Sequence, residues 1–107
     1  VALILPHHGK TPIVPATAYL APTATVIGDV ELGEHASLWF NVVVRGDVNF
    51  IRIGDRSNIQ DNSTVHVHVG DHPTRIGSDV VGGHNILVHG CTVGDRVLIG
   101  MGSVLMD

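Results

Sequence analysis

The sequence predicts an all-β fold, a parallel β-helix wound from six-residue repeats, and two observations carry that prediction. The first is a series of aliphatic residues at a fixed step of six: Val14, Leu20, Val26, Leu32, Leu38 and Val44. The series resumes at Ile53, Ile59 and Val65, again at Ile76, Gly82 and Val88, and closes with Val93, Ile99 and Leu105 after one step of five. A helix repeats every 3.6 residues and a strand every two, so neither produces this pattern. Repeats this short mark a solenoid, in which three of them close one triangular coil of roughly 18 residues. The aliphatic of each repeat points into a narrow core, and the residue after it points out. The second observation is the lack of bulk: Tyr19, Trp39, Phe40 and Phe50 are the only aromatic residues, too few to fill a wide sandwich or barrel. A thin core of Val, Ile, Leu, Ala and Thr follows. Residues three repeats apart then lie above one another at about 4.8 Å, the spacing of neighbouring strands.

Taken in order, Val1 to Ile13 hold two prolines and no repeat, and read as a lead-in strand and loop over the first coil. The coils run from residue 14 to residue 105, in a single domain spanning 1–107. Val14 to Val44 is regular, with corner residues at Gly28–Asp29 and Gly33–Glu34. Arg45 to Arg52 is three residues longer than the register allows and must bulge. His68 to Arg75 holds five residues too many and, with Gly70, Asp71 and Pro73, reads as a protruding loop. Ile76 to Leu105 is regular again, and no segment reads as helix or linker. Nothing covers the last coil, whose open end would expose core aliphatics and strand edges. The expectation is a piece of a longer protein, or else a partner that supplies the cap.

Composition narrows the function. A net charge of −4 with six scattered Lys and Arg argues against nucleic acid as partner. No apolar run approaches the ~18 residues of a membrane span and no basic-then-apolar leader is present, so a cytoplasmic protein is expected. Cys91 is alone, which excludes an intrachain disulfide. Eight histidines in 107 residues are the one excess.

Their positions are informative. His66 follows the core residue Val65, and His89 follows Val88 one coil later, so the two imidazoles stack on one face. Arg45, after Val44, extends that row. His84 stands two places after Gly82, near a different edge of the triangle, and could meet the other two only from a neighbouring copy. The expectation is a three-histidine metal site across a subunit interface; neutral imidazoles suit zinc, and three protein nitrogens leave one position open to water. The plainer reading is that an outward histidine is a solvated side chain and a stacked pair a polar ladder. His7, His8, His35 and His72, in lead-in, corner and loop, fit it. His68 shares a strand face with His66 and could be an outer neighbour of the site or a substitute ligand.

Four motifs in order resemble the γ-class carbonic anhydrases and their relatives in the hexapeptide-repeat superfamily. They are Arg45-Gly-Asp47, the Asn58-Ile-Gln60-Asp61 run, His84-x4-His89-Gly-Cys91, and Ile99-Gly-Met-Gly-Ser103. The resemblance implies a left-handed β-helix and a homotrimer with zinc, or another divalent metal such as Fe2+ or Co2+, at its interfaces. It further implies His66 and His89 as ligands from one copy and His84 from the next. Gln60 matches a residue that hydrogen-bonds the metal-bound water or bicarbonate, and Arg45 and Asp47 match an interface pair. The implied reaction is reversible hydration of carbon dioxide by a metal-bound hydroxide, with His68 as the only titratable candidate for carrying the proton away.

The sequence also departs from the family. Val48 and Val69 stand where active members carry proton-shuttling carboxylates, Gly82 replaces an aliphatic and should leave a small gap in the core, and the family's C-terminal helix is absent. Two rival readings share the fold: an acyltransferase using one histidine as general base, and a non-catalytic scaffold stapled by metal.

Overall fold

A computed structural model describes all 107 residues. Its strands are β1 (Leu3–Leu5), β2 (Tyr19–Leu20), β3 (Thr25–Leu32), β4 (Ser37–Leu38), β5 (Val43–Ile53), β6 (Asn58–Ile59), β7 (Thr64–His66), β8 (Thr74–Ile76), β9 (Val81–Gly82), β10 (Leu87–His89), β11 (Thr92–Val93), β12 (Leu98–Ile99) and β13 (Val104–Leu105). There is no helix, so none is long and apolar enough to cross a membrane. Every strand pairing is parallel, and strands joined in sequence lie on different faces, as a β-helix requires.

Three stacks of aliphatics define the three faces. On the first, Ile4, Val26, Val44, Val65, Val88 and Leu105 lie in register. Leu32, Ile53, Ile76 and Val93 stack on the second, and Leu20, Leu38, Ile59, Gly82 and Ile99 on the third. The six-residue register is therefore realised coil by coil, with Val26, Leu32, Leu38, Val44, Ile59, Val65, Val88 and Ile99 all buried in one core. The lead-in strand β1 joins the first face in the same register, and a His7–Lys10 bridge turns the chain back.

Most repeats also bury a second residue, two places before the aliphatic, because strand side chains alternate. Ala24, Val30, Ala36, Val42, Val80 and Ile86 fill these places, and so do Ser57, Ser63 and Thr74. The hydroxyls are satisfied locally. Ser57 Oγ donates to the Gly77 carbonyl at 2.6 Å and accepts the Val80 N–H at 3.0 Å. Ser63 does the same with Gly83 and Ile86. No buried side-chain polar atom lacks a partner, which removes the main cost of placing serine in a core.

Corners impose left-handed backbone. His35, Arg56, Asp79 and Arg96 share a φ of 58°, and Asn41, Asn62 and Asn85 occupy the next corner at 56–64°. Asparagine tolerates this region better than most residues, and Asn41 Nδ2 donates to Asn62 Oδ1 at 3.1 Å along the corner. His35 is thus a corner residue.

Both irregular stretches lie where expected. Gly28 pairs with Gly46 but Val30 with Ile51, so residues 47–50 face Asp29 alone. A β-carbon on Gly28 would sit 2.3 Å from the Gly46 carbonyl oxygen, so only glycine permits the close approach beneath this bulge. Between Val65 and Thr74 the second insertion loops out, closed by His68 N–H to the His72 carbonyl at 3.1 Å. The gap expected at Gly82 is not there. A β-carbon at that position would meet Ile86 Cδ1 at 3.0 Å and Ile59 Cδ1 at 3.1 Å, so the neighbouring isoleucines already use the space.

Candidate functional site

His66 and His89 end β7 and β10, pair in register, and point outward because Val65 and Val88 point in. Their ring centroids are 5.1 Å apart with the planes at 64°. Each side chain keeps 19% of its surface. Asp47, on the bulge, reaches this pair: its Oδ1 lies 2.9 Å from His66 Nε2 and also accepts the Val48 N–H. Its Oδ2 accepts Arg45 Nη1 at 2.5 Å. Burial alone would raise the Asp47 carboxyl, but the His66 and Val48 hydrogen bonds and the Arg45 charge outweigh it and hold the carboxyl at about 2. Asp47 is therefore a carboxylate at any ordinary pH. The Arg45–Asp47 pair, expected across an interface, is made within the chain, since residues two apart on a strand share a face.

His89 Nδ1 lies 2.6 Å from Asp107 Oδ1, a hydrogen bond that holds the Asp107 carboxyl below the usual range. His68, exposed on the loop, has its ring centroid 6.4 Å from that of His89 and 6.2 Å from that of His72. It flanks the pair.

His84 lies elsewhere. It precedes the Asn85 corner on the third face, its side chain 47% exposed, with Nδ1 3.2 Å from Asp61 Oδ1. An open cleft of about 390 Å³ there is lined by Ser37, Trp39, Asn58, Gln60, Asp61 and His84. Gln60 Nε2 donates to Asn58 Oδ1 at 3.2 Å, and Trp39 Nε1 donates to Ser37 Oγ while its ring packs 5.1 Å from Tyr19. The seven candidate residues thus divide into two groups. Arg45, Asp47, His66, His68 and His89 gather on the first face; Gln60 and His84 share the third. Within one chain no three His, Cys, Asp or Glu side chains converge on a point where a metal could sit.

One property nevertheless singles out the three expected ligands. His66, His84 and His89 each hold a ring nitrogen within 3.2 Å of a carboxylate oxygen, and none of the other five histidines has a carboxylate within reach. Metal-binding histidines usually donate one ring N–H to a carboxylate, which fixes the ring and leaves the other nitrogen to bind. The donor set therefore fits a divalent metal of zinc type. Two of these carboxylates were missed from the sequence, and the register locates one of them. Asp61 stands one coil from His84 on the Ile59–Gly82 row, whereas Asp107 falls one coil from Gly90, the residue after His89, and reaches the imidazole diagonally from there.

Neither of two other features offers chemistry. The widest cleft, about 530 Å³ along the second face, has no histidine or thiol, and its Asp55 and Asp95 accept the backbone N–H groups of Glu34 and Ser78. Cys91 is partly buried, and that burial pushes its thiol up, away from thiolate.

No family model matches the chain. It is 50% identical over 103 residues to "Gamma carbonic anhydrase 1, mitochondrial" of Arabidopsis thaliana, which covers 92% of this chain and 38% of that protein. It is 46% identical over 105 residues to "Carbonic anhydrase" of Geobacillus kaustophilus, covering 98% of this chain and 57% of the other. The chain thus spans between about two fifths and three fifths of these relatives. Among solved structures it matches a hexapeptide transferase family protein from Anaplasma phagocytophilum, with a TM-score of 0.80 and 32% identity, over 98% of this chain and 75% of that one.

Proposed function

This chain belongs to the γ-class carbonic anhydrase-like proteins of the hexapeptide-repeat family, and we propose that it hydrates carbon dioxide reversibly at a divalent-metal site shared between neighbouring copies of a homotrimer. One observation carries the reading. The three histidines that the register separates onto two faces are the three that carboxylates orient, and a site using all of them needs two copies. His66 and His89 of one copy and His84 of the next would hold the metal, which we take to be zinc, with Fe2+ or Co2+ as alternatives. When bound, such a metal would lower the pKa of its water to about 7 and so supply a nucleophile at neutral pH.

The remaining steps belong to side chains. Asp47 and Asp107 fix the His66 and His89 rings, and Asp61 does so for His84. Gln60 arrives on the same face as His84, so the copy that contributes His84 also contributes the amide that orients the nucleophile or the bicarbonate. Arg45 commits one guanidinium nitrogen to Asp47 and keeps donors for an anionic product. His68 carries the proton outward, because Val48 and Val69 offer no acceptor. With one cysteine and no disulfide the chain suits a reducing compartment, and we take it to act in the cytoplasm.

The likeness to a hexapeptide transferase family protein favours one alternative, acyl transfer with a single histidine as base. Such a reaction needs no stoichiometric metal.

Subunit mixing tests the proposal. Homotrimers of His66→Ala and of His84→Ala should each bind no metal and hydrate no carbon dioxide. A mixed trimer of the two regains one intact site, so metal content and stopped-flow hydration should both return on mixing. Turnover should also rise with added imidazole buffer, which replaces a slow proton carrier. Metal-replete wild-type trimer without hydration at any buffer concentration would remove the enzyme reading and leave a metal-stapled scaffold.

A further inference from the structure

The two insertions that interrupt the repeats adjoin each other, and one side chain joins them. Residues 47–50 bulge from β5, and the loop from Val67 to Pro73 leaves the strand stacked on it, β7. Asn49 lies between. Its Nδ2 donates to the His68 carbonyl at 3.1 Å and to the Gly70 carbonyl at 2.8 Å, while its Oδ1 accepts the Phe50 N–H at 2.9 Å. Two carbonyls demand the amide nitrogen on one side and an N–H demands the oxygen on the other, so this network fixes the orientation of the side chain. No aspartate, serine or alanine could reproduce it.

The bulge is held at both ends. Asp47 binds His66, and the Arg52 and Arg75 guanidinium groups lie over the Phe50 ring, 4.8 and 4.6 Å from its centroid. Asn49 therefore projects from a fixed segment onto a loop that the buried Val67 anchors at its start and that beyond Val67 has one closing backbone hydrogen bond of its own, His68 N–H to the His72 carbonyl. That loop carries His68 and His72, and it places the His68 ring 6.4 Å from that of His89.

We propose that Asn49 is a positioning residue, which latches the histidine loop to the His66–His89 face so that His68 forms the outer wall of the site. This rests on the reading of that face as one half of a metal site. Without the latch the loop keeps the single closing bond from His68 to His72, and the His68 ring is free to swing away from His89.

The experiment compares wild type with Asn49→Asp, nearly the same size but unable to donate and facing two carbonyl oxygens, and with Asn49→Ala. Amide hydrogen exchange is measured on the metal-free protein. Both variants should speed exchange of the His68 N–H by on the order of tenfold or more, while amides of the Val44, Val65 and Val88 strands keep their wild-type rates. The second measurement uses cobalt(II) as the bound ion and reads paramagnetic broadening of the ring protons. The His68 ring should be strongly broadened in wild type and much less so in both variants, with His66 and His89 unchanged.

His68 exchange and broadening that match wild type in both variants would overturn the latch. If cobalt does not bind at all, the metal reading fails, and the exchange data alone still decide whether Asn49 holds the loop. Should Asn49→Asp fail to fold, the alanine variant answers the same question.

Discussion

The first face and the third both present histidine to solvent, but they hold it differently. On the first, His66 and His89 stack with four-fifths of their surface covered, and the bulge that carries Asp47 fixes one ring. On the third, two-residue strands run without interruption, and His84 stands half exposed at a corner with Asp61 beside it. The contrast follows from where the repeat is broken. A regular coil spends its side chains on the core and its corners on left-handed backbone, so little is left to enclose a group. Insertions free the chain from that duty, and Asp47, Asn49 and His68 all lie in them. The first face is thus a prepared receptor, whereas the third offers one ligand outward to whatever packs against it.

Both faces depend on the core behind them, so the largest effect comes from breaking it. Val65→Asp or Val88→Asp would bury an unpaired charge at a side chain with no exposure. The expected loss is on the order of 4 kcal/mol or more, a large part of a typical domain's stability. Circular dichroism should show an unfolded or aggregating protein. A soluble variant with unchanged melting would mean that the register is wrong. Less severe is Gly82→Val, which adds carbons where Ile59 and Ile86 already touch; the expected cost is about 1–3 kcal/mol. A stabilised variant would restore the gap that the sequence suggested and the structure fills.

The next comparison separates the faces. In metal-free protein His66→Ala removes the partner of a mostly covered carboxylate and should cost about 1–3 kcal/mol. His84→Ala removes an exposed side chain and should change melting hardly at all. Both should abolish metal binding equally. Equal losses of stability would show that the third face is as firmly built as the first.

Much of this was legible before any coordinates. The six-residue series located the core, both insertions and the stack of His66 on His89, because a solenoid turns sequence separation into height along one axis. The same conversion separated His84 from the other two. What the series could not convey was anything inside the insertions. Asp47 follows the repeat by three residues, and only the path of the bulge carries its carboxylate to His66 rather than along its own row. Asn49 is invisible for the same reason: its three hydrogen bonds go to backbone groups of two irregular segments. The serines of the second inward row were missed because an aliphatic pattern does not register a hydroxyl, although each one is satisfied by the coil above. Gly82 was misread as a void because a missing side chain says nothing about which neighbours lean into its place.

The smallest expected effect bears on whether the first face is complete in one copy. Arg45 contacts Asp47 within the chain, and its side chain is 47% exposed. An ion pair so open to water is worth little, on the order of 0.2–1 kcal/mol. Asp47 in turn keeps His66 and the Val48 N–H when the arginine is gone. Arg45→Ala should therefore lower the melting temperature by only a few degrees, whereas Asp47→Ala, which strands a ring nitrogen and a backbone N–H at once, should cost clearly more. The two variants are to be melted in parallel at a concentration where sedimentation shows one association state. If Arg45→Ala proves as damaging as Asp47→Ala, and the damage grows with protein concentration, then the guanidinium is covered in the assembly and the pair works between copies as well as within one. A small, concentration-independent loss keeps Arg45 where this chain alone puts it, free to meet an anion.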